Sequence, residues 1–164
     1  MRRTFHKAAK IIIFAALAAG FSAGTAAVAA EGKAVIEKRV KFMKTDILQN
    51  FKAIKTFVKG GDGTAAGVAE SARKISAAAT KIPGLFPKGT ARGDYDARLT
   101  RALPKIWEDW KGFEAAAARL AAESAKLAKV AANGDVFDIG GQFGAMAKKG
   151  CGGCHKPFRG AKVK

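Results

Sequence analysis

The chain has 164 residues, 49% of them hydrophobic, and sets 30 lysines and arginines against 13 acids, a formal charge of +17. That length suits one domain able to bury most of its apolar surface, and the charge predicts attraction to acidic surfaces. The lysines are spread along every segment with no dense basic tract interleaved with aromatics, which argues against nucleic acid as the partner.

The first thirty residues read as an export signal. Arg2, Arg3, Lys7 and Lys10 form a positive start, an apolar run follows from Ile11 to Phe21, and small residues lead to Ala27-Val28-Ala29-Ala30 before Glu31. Cleavage is expected before Glu31. The run is shorter than the roughly 20 residues a membrane span needs, and no later segment is apolar enough to span. A mature form without a membrane span, exported to a bacterial periplasm, is therefore expected. Removing residues 1–30 takes four basic and no acidic side chains, which leaves +13 on 134 residues. His6 leaves with the signal. The mature chain then holds one histidine, His155, two cysteines, and the methionines Met43 and Met146.

Four helical stretches come next. The first runs from about Lys33 to Val58, its apolar positions Ile36, Val40, Met43, Ile47, Phe51, Ile54 and Val58 advancing by threes and fours. Gly60-Gly61-Asp62-Gly63 ends it. The second spans roughly Thr64 to Lys81. From Ile82 to about Arg98, Pro83 and Pro87 with several glycines forbid a continuous helix. The third starts near Pro104, a residue suited to a first turn, and continues through Trp107, Trp110, Phe113, Leu120 and Leu127 to Asn133-Gly134. Asp135 is placed to cap the fourth, which runs through Ile139, Phe143 and Met146 towards Cys151 and Phe158. Gly140, Gly141 and Gly144 weaken it by about 1 kcal/mol each relative to alanine, and mark close helix approach or room for a bulky group. No stretch alternates with period two. The expected fold is all-α: an antiparallel up-down four-helix bundle over residues 31–164.

Cys151-Gly152-Gly153-Cys154-His155 carries the strongest chemical signal. Two thiols two residues apart can form thioether bonds to the vinyl groups of one haem, and the following histidine then ligates its iron. A thioredoxin-like pair would sit near a βαβ pattern, which is missing. Structural zinc takes four ligands, and two cysteines with one histidine supply three. A disulfide spanning two residues would leave His155 unexplained. One covalent haem c is expected, held by Cys151 and Cys154 with iron on His155.

The opposite iron position is open on periodicity alone. Met43 lies on the core face of the first helix, four residues after Arg39, so both share one face. Its thioether could reach iron, or simply pack the core as methionines usually do. Arg39 is a candidate partner for a haem propionate. Met146 is the weaker candidate ligand because it precedes His155 by nine residues on the same helix. A neutral lysine ligand would need strong desolvation. Trp107, Trp110 and Phe113 read as core, and no pair of acids suggests acid–base catalysis.

A haem motif at the C-terminal end of a four-helix chain resembles the class II cytochromes c, cytochrome c-prime and its low-spin, methionine-ligated relatives. The resemblance covers nearly all of the mature chain. Arg39-Val40-Lys41-Phe42-Met43-Lys44 is similar to the family's first-helix segment, Ile82-Pro83-Gly84-Leu85-Phe86-Pro87-Lys88-Gly89 to its inter-helix loop, and Pro104-Lys105-Ile106-Trp107 to the start of its third helix. Cys154-His155-Lys156-Pro157-Phe158-Arg159 is similar to its terminal motif, with Pro157 a departure that would shorten the last turn. The resemblance implies that Arg39 lies near a propionate, that Arg159 lies near the haem or its histidine, and that residue 43 is distal. A leucine or phenylalanine there leaves iron five-coordinate and open to nitric oxide or carbon monoxide. A methionine goes with low-spin, six-coordinate iron. The expectation is therefore a one-electron carrier with His155 and Met43 as iron ligands and acidic redox proteins as partners. A gas-binding, five-coordinate protein is the alternative. The family also implies a homodimer as one assembly. An enzyme such as a peroxidase would need a distal acid–base group, and the single histidine is already used, so no enzyme activity is expected.

Overall fold

The structure, a computed structural model, describes residues 23–163, so most of the expected export signal lies outside the described residues. Helix α1 (Ala23–Phe42) passes through a π-helical turn, Met43–Leu48, into α2 (Gln49–Val58). The rod ends as expected: Gly60 takes φ +80°, a left-handed conformation that costs glycine little because it has no Cβ. Thr64 then caps α3 (Ala65–Ala79), its hydroxyl accepting from the Gly67 N–H at 3.0 Å. The buried face of α3 is made largely of small side chains, Ala69, Ala72 and Ala79 beside Val68 and Ile75. Small residues let this helix lie close to the third rod, and Ser76 Oγ donates across to the Ala121 carbonyl at 2.9 Å.

The connection from residue 80 to 104 holds one short 3₁₀ turn, Pro83–Leu85, and is otherwise irregular. The third rod departs from expectation. Helix α4 (Lys105–Glu108) stops at Asp109, whose φ −123° and ψ 58° are not helical, and α5 (Trp110–Asn133) starts afresh. The Asp109 carboxylate accepts from the Gly112 N–H at 3.1 Å, so a side-chain cap replaces the backbone ladder at that point. A Cβ at residue 112 would run into that carboxylate, so a larger residue there would require the cap to shift.

Asp135 caps α6 (Val136–Ala145), accepting from the Phe137 and Asp138 N–H groups at 2.9 Å each. A second π-helical turn, Met146–Cys151, leads into α7 (Gly152–Phe158). Pro157 sits inside α7 and the helix still reaches Phe158, so the last turn is not shortened. The final rod lies antiparallel to α5. Gln142 Nε2 donates to Glu123 O at 3.2 Å and to Glu123 Oε2 at 2.9 Å, and further along Gly150 rests on Leu120. The described residues form an all-α four-helix bundle with isolated β-bridges only. Its centre holds Ile54, Ile75, Phe113, Leu127, Ile139 and Met146, each almost inaccessible, and each such side chain contributes about 1.5–3 kcal/mol by leaving water.

The glycines of the last rod divide in a way that sequence did not resolve. A Cβ at Gly141 or Gly144 would meet nothing within 4 Å, and at Gly140 it would make ordinary contact with Val58 at 3.6 Å. Close approach falls instead at Gly150, where a Cβ would meet Leu120 Cδ1 at 2.9 Å and Leu120 Cα at 3.1 Å. In urea unfolding, Gly144→Ala is expected to stabilise the protein by about 0.5–1 kcal/mol through backbone entropy. Gly150→Ala should destabilise it by about 1–2 kcal/mol, because a clash with backbone outweighs that gain.

Candidate functional site

Cys151 closes the second π-helical turn, and Cys154 and His155 lie just beyond it in α7. Steps of three and four along a helix bring side chains to one face, so both thiols and the imidazole project from a single turn. Both cysteines are half-buried and pack against the core, as do Met43 and Phe143. Burial pushes the Cys151 thiol up, and burial followed by the neighbouring Cys151 pushes Cys154 up to about 11. His155 is exposed as a residue. Partial burial of its ring, then the charges of Arg159 and Arg101, hold its pKa below the usual value, which keeps the nitrogen lone pair available. Among the described residues no three His, Cys, Asp or Glu side chains gather as a metal-binding group, so zinc has no donor set here.

Arg39 is the unusual residue of the first rod. It is 3% exposed and makes no ion pair with a carboxylate among the described residues. Its Nη1 donates to Thr90 Oγ1 at 3.1 Å, and its Nη2 to Thr90 O and Thr100 Oγ1 at 2.9 Å each. The guanidinium carbon lies 4.3 Å from the Phe86 ring centroid, within cation–π range. Burial lowers its pKa to about 10. These bonds use three of the five guanidinium donors. A desolvated cation with neutral partners and donors to spare is a seat for an anion, which fits a haem propionate.

Met43 begins the first π-helical turn, half-buried and in contact with the core. Met146 is wholly buried in the core. Arg159 is exposed, pairs its backbone with Ala102 in an antiparallel bridge, and stands close enough to His155 to depress its pKa. Phe113 joins Phe86, Phe158 and Trp110 at ring distances of 4.9, 5.4 and 5.6 Å, and Trp107 Nε1 donates to Phe86 O at 3.0 Å. Sequence reasoning missed Thr90, Thr100 and Phe86 as the surroundings of Arg39. They lie more than forty positions away in an irregular loop, and no periodicity connects them.

Comparison with known proteins agrees with this geometry. The cytochrome c′ family profile matches residues 34–159. The chain is 32% identical over 130 residues to the cytochrome c′ of Pararhodospirillum photometricum, covering 79% of this chain and 99% of that one. It is 34% identical over 128 residues to a cytochrome c-556 of Agrobacterium tumefaciens, covering 76% and 95%. Among solved structures it resembles a variant of the Rhodopseudomonas palustris cytochrome c′, with TM-score 0.65 and 30% identity over 77% of this chain and 98% of that one. It also shares its fold with R. palustris cytochrome c556, at TM-score 0.68 and 24% identity over 79% and 97%.

The site makes two outcomes measurable. Thr100→Val removes one acceptor from the buried Arg39 and should cost about 1.5–3 kcal/mol in urea unfolding. Replacing Cys151 and Cys154 together by alanine should make the haem extractable into acidified organic solvent, whereas replacing either one alone should leave it bonded to the chain.

Proposed function

The chain belongs to the cytochrome c′ family of single-haem c-type cytochromes, and from that premise we propose that it is a periplasmic one-electron carrier in which Met43 completes the iron coordination. One covalent haem c is the family's cofactor, and it supplies a reversible ferric–ferrous couple. In this reading Cys151 and Cys154 hold the group through thioethers, and His155 ligates iron with its neutral imidazole. Arg39 offers its buried charge to a propionate, and Arg159 lies beside the histidine. The aromatic cluster around Phe113 keeps water out.

The observation that carries the reading is Met43 itself. It is a half-buried thioether that packs against the core, four residues after the buried Arg39. Neutral sulfur favours the ferrous state and raises the potential. Two protein ligands keep the geometry nearly constant between oxidation states, so little rearrangement slows transfer. The π-helical turn that starts at Met43 agrees with a role there, since such turns often mark functional positions. Residues 1–30 would be removed on export, leaving residues 31–164 as the haem domain. No described helix is long and apolar enough to cross a membrane.

A second reading has its own support. Most of the named relatives are cytochromes c′ rather than cytochromes c-556, which favours an open sixth position able to bind nitric oxide or carbon monoxide. The cytochrome c prime of Alcaligenes xylosoxidans has a ferrous variant with bound NO. Another relative is a cytochrome c′ with ligand-controlled dimer dissociation, and a homodimer is the assembly proposed here by analogy. Carbon monoxide added to the dithionite-reduced protein separates the readings. Slow or negligible uptake is expected for the carrier. Fast, tight uptake would transfer the case to gas binding.

A further inference from the structure

Acidic side chains are missing from the C-terminal segment of this chain, although basic ones continue through it. Residues 139–164 contain six lysines and arginines and no aspartate or glutamate. This is the segment that carries Cys151, Cys154 and His155. The loop before α4 folds onto it and adds more cations. Arg92 Nη1 donates to Ala161 O at 3.1 Å and Arg101 Nε to Gly160 O at 2.7 Å. Backbone bonds from Leu103 N to Phe158 O at 3.1 Å and from Gly160 N to Arg101 O at 2.8 Å hold the two segments together.

None of Arg92, Arg101, Lys156, Arg159 or Lys162 forms an ion pair among the described residues. The acids of the neighbouring loop are engaged locally. Asp94 Oδ2 accepts from the Ala91 N–H at 2.9 Å, and Asp96 pairs with Arg98 at 3.1 Å. Lys156, Arg159 and Lys162 are exposed, as is the neighbouring His155. Like charges held on one surface lower stability through mutual repulsion, and among the described residues no carboxylate pairs with them. An acidic partner would.

We infer that the surface around His155, bearing Arg92, Arg101, Lys156, Arg159 and Lys162, is the docking face for an acidic redox protein. This rests on the electron-carrier reading and adds to it a location. The overall positive charge draws an acidic protein from a distance, and the unpaired cations orient it so that contact is made beside the iron's own ligand.

The test compares two double variants with the same change in net charge. Lys156→Glu with Lys162→Glu alters the proposed face, and Lys52→Glu with Lys55→Glu alters α2. Oxidation of each ferrous protein by an acidic plastocyanin is followed by stopped flow at about 0.1 M ionic strength. There the screening length is about 10 Å, so mainly charges near the contact count. Optical spectra confirm that haem ligation is unchanged. The first variant should slow oxidation by about threefold or more, and the second should leave it near wild type. Equal slowing of both would mean that net charge alone steers, and would overturn the assignment. Loss of sedimentation with phosphatidylglycerol vesicles in the first variant, with plastocyanin rates unaffected, would give the face to a lipid surface instead and overturn it too. A wild type that fails to reduce plastocyanin at any salt would contradict the carrier reading, which is a different result from either.

Discussion

The site depends on how one helical turn is seated. Cys151, Cys154 and His155 can serve a single haem only if they keep one face and one orientation towards the bundle, and the contact of Gly150 with Leu120 provides that seat. A side chain at residue 150 would meet the Leu120 backbone at 3.1 Å, so the last rod can approach α5 this closely only with glycine there. Immediately after it, the π-helical turn ends and the binding turn begins. The extra residue of a π turn rotates the next helical turn about the axis, which aims the thiols and imidazole. Close approach and rotation together position the three groups on one face.

Arg39 adds a second anchor, on the first rod. Burying a guanidinium without a carboxylate is costly unless its donors are occupied, and Thr90 and Thr100 occupy three of them. The same bonds tie the irregular loop to the first rod. That loop in turn pairs through Arg101 and Leu103 with residues 158–160 just beyond α7. One chain of polar contacts therefore runs from α1 through the loop to the haem-bearing terminus. It links Met43, the candidate distal residue one turn beyond Arg39, to His155, the candidate proximal ligand.

Much of this was legible in the sequence. The Cys151–His155 motif named the cofactor because thiol spacing and the adjacent imidazole have few other uses. Thr64 and Asp135 were readable as helix starts, Gly60 and Gly134 as stops, because caps act through neighbours a few residues away. Features that depend on distant neighbours were not legible. The break at Asp109 pits a side-chain cap against a helix that apolar periodicity carries straight through. The two π-helical turns leave the i, i+3, i+4 pattern almost unchanged. Glycines 140, 141, 144 and 150 look alike in sequence, and only the facing Leu120 distinguishes the last. The partners of Arg39 lie across an irregular loop that no pattern predicts.

The central claim is that Met43 sits on the iron, and the ferric spectrum tests it most directly. Electron paramagnetic resonance of the purified ferric protein should show low-spin iron, and Met43→Ala should convert it to high-spin. A wild type that is already high-spin, and unchanged by the substitution, would contradict the account and leave an open iron.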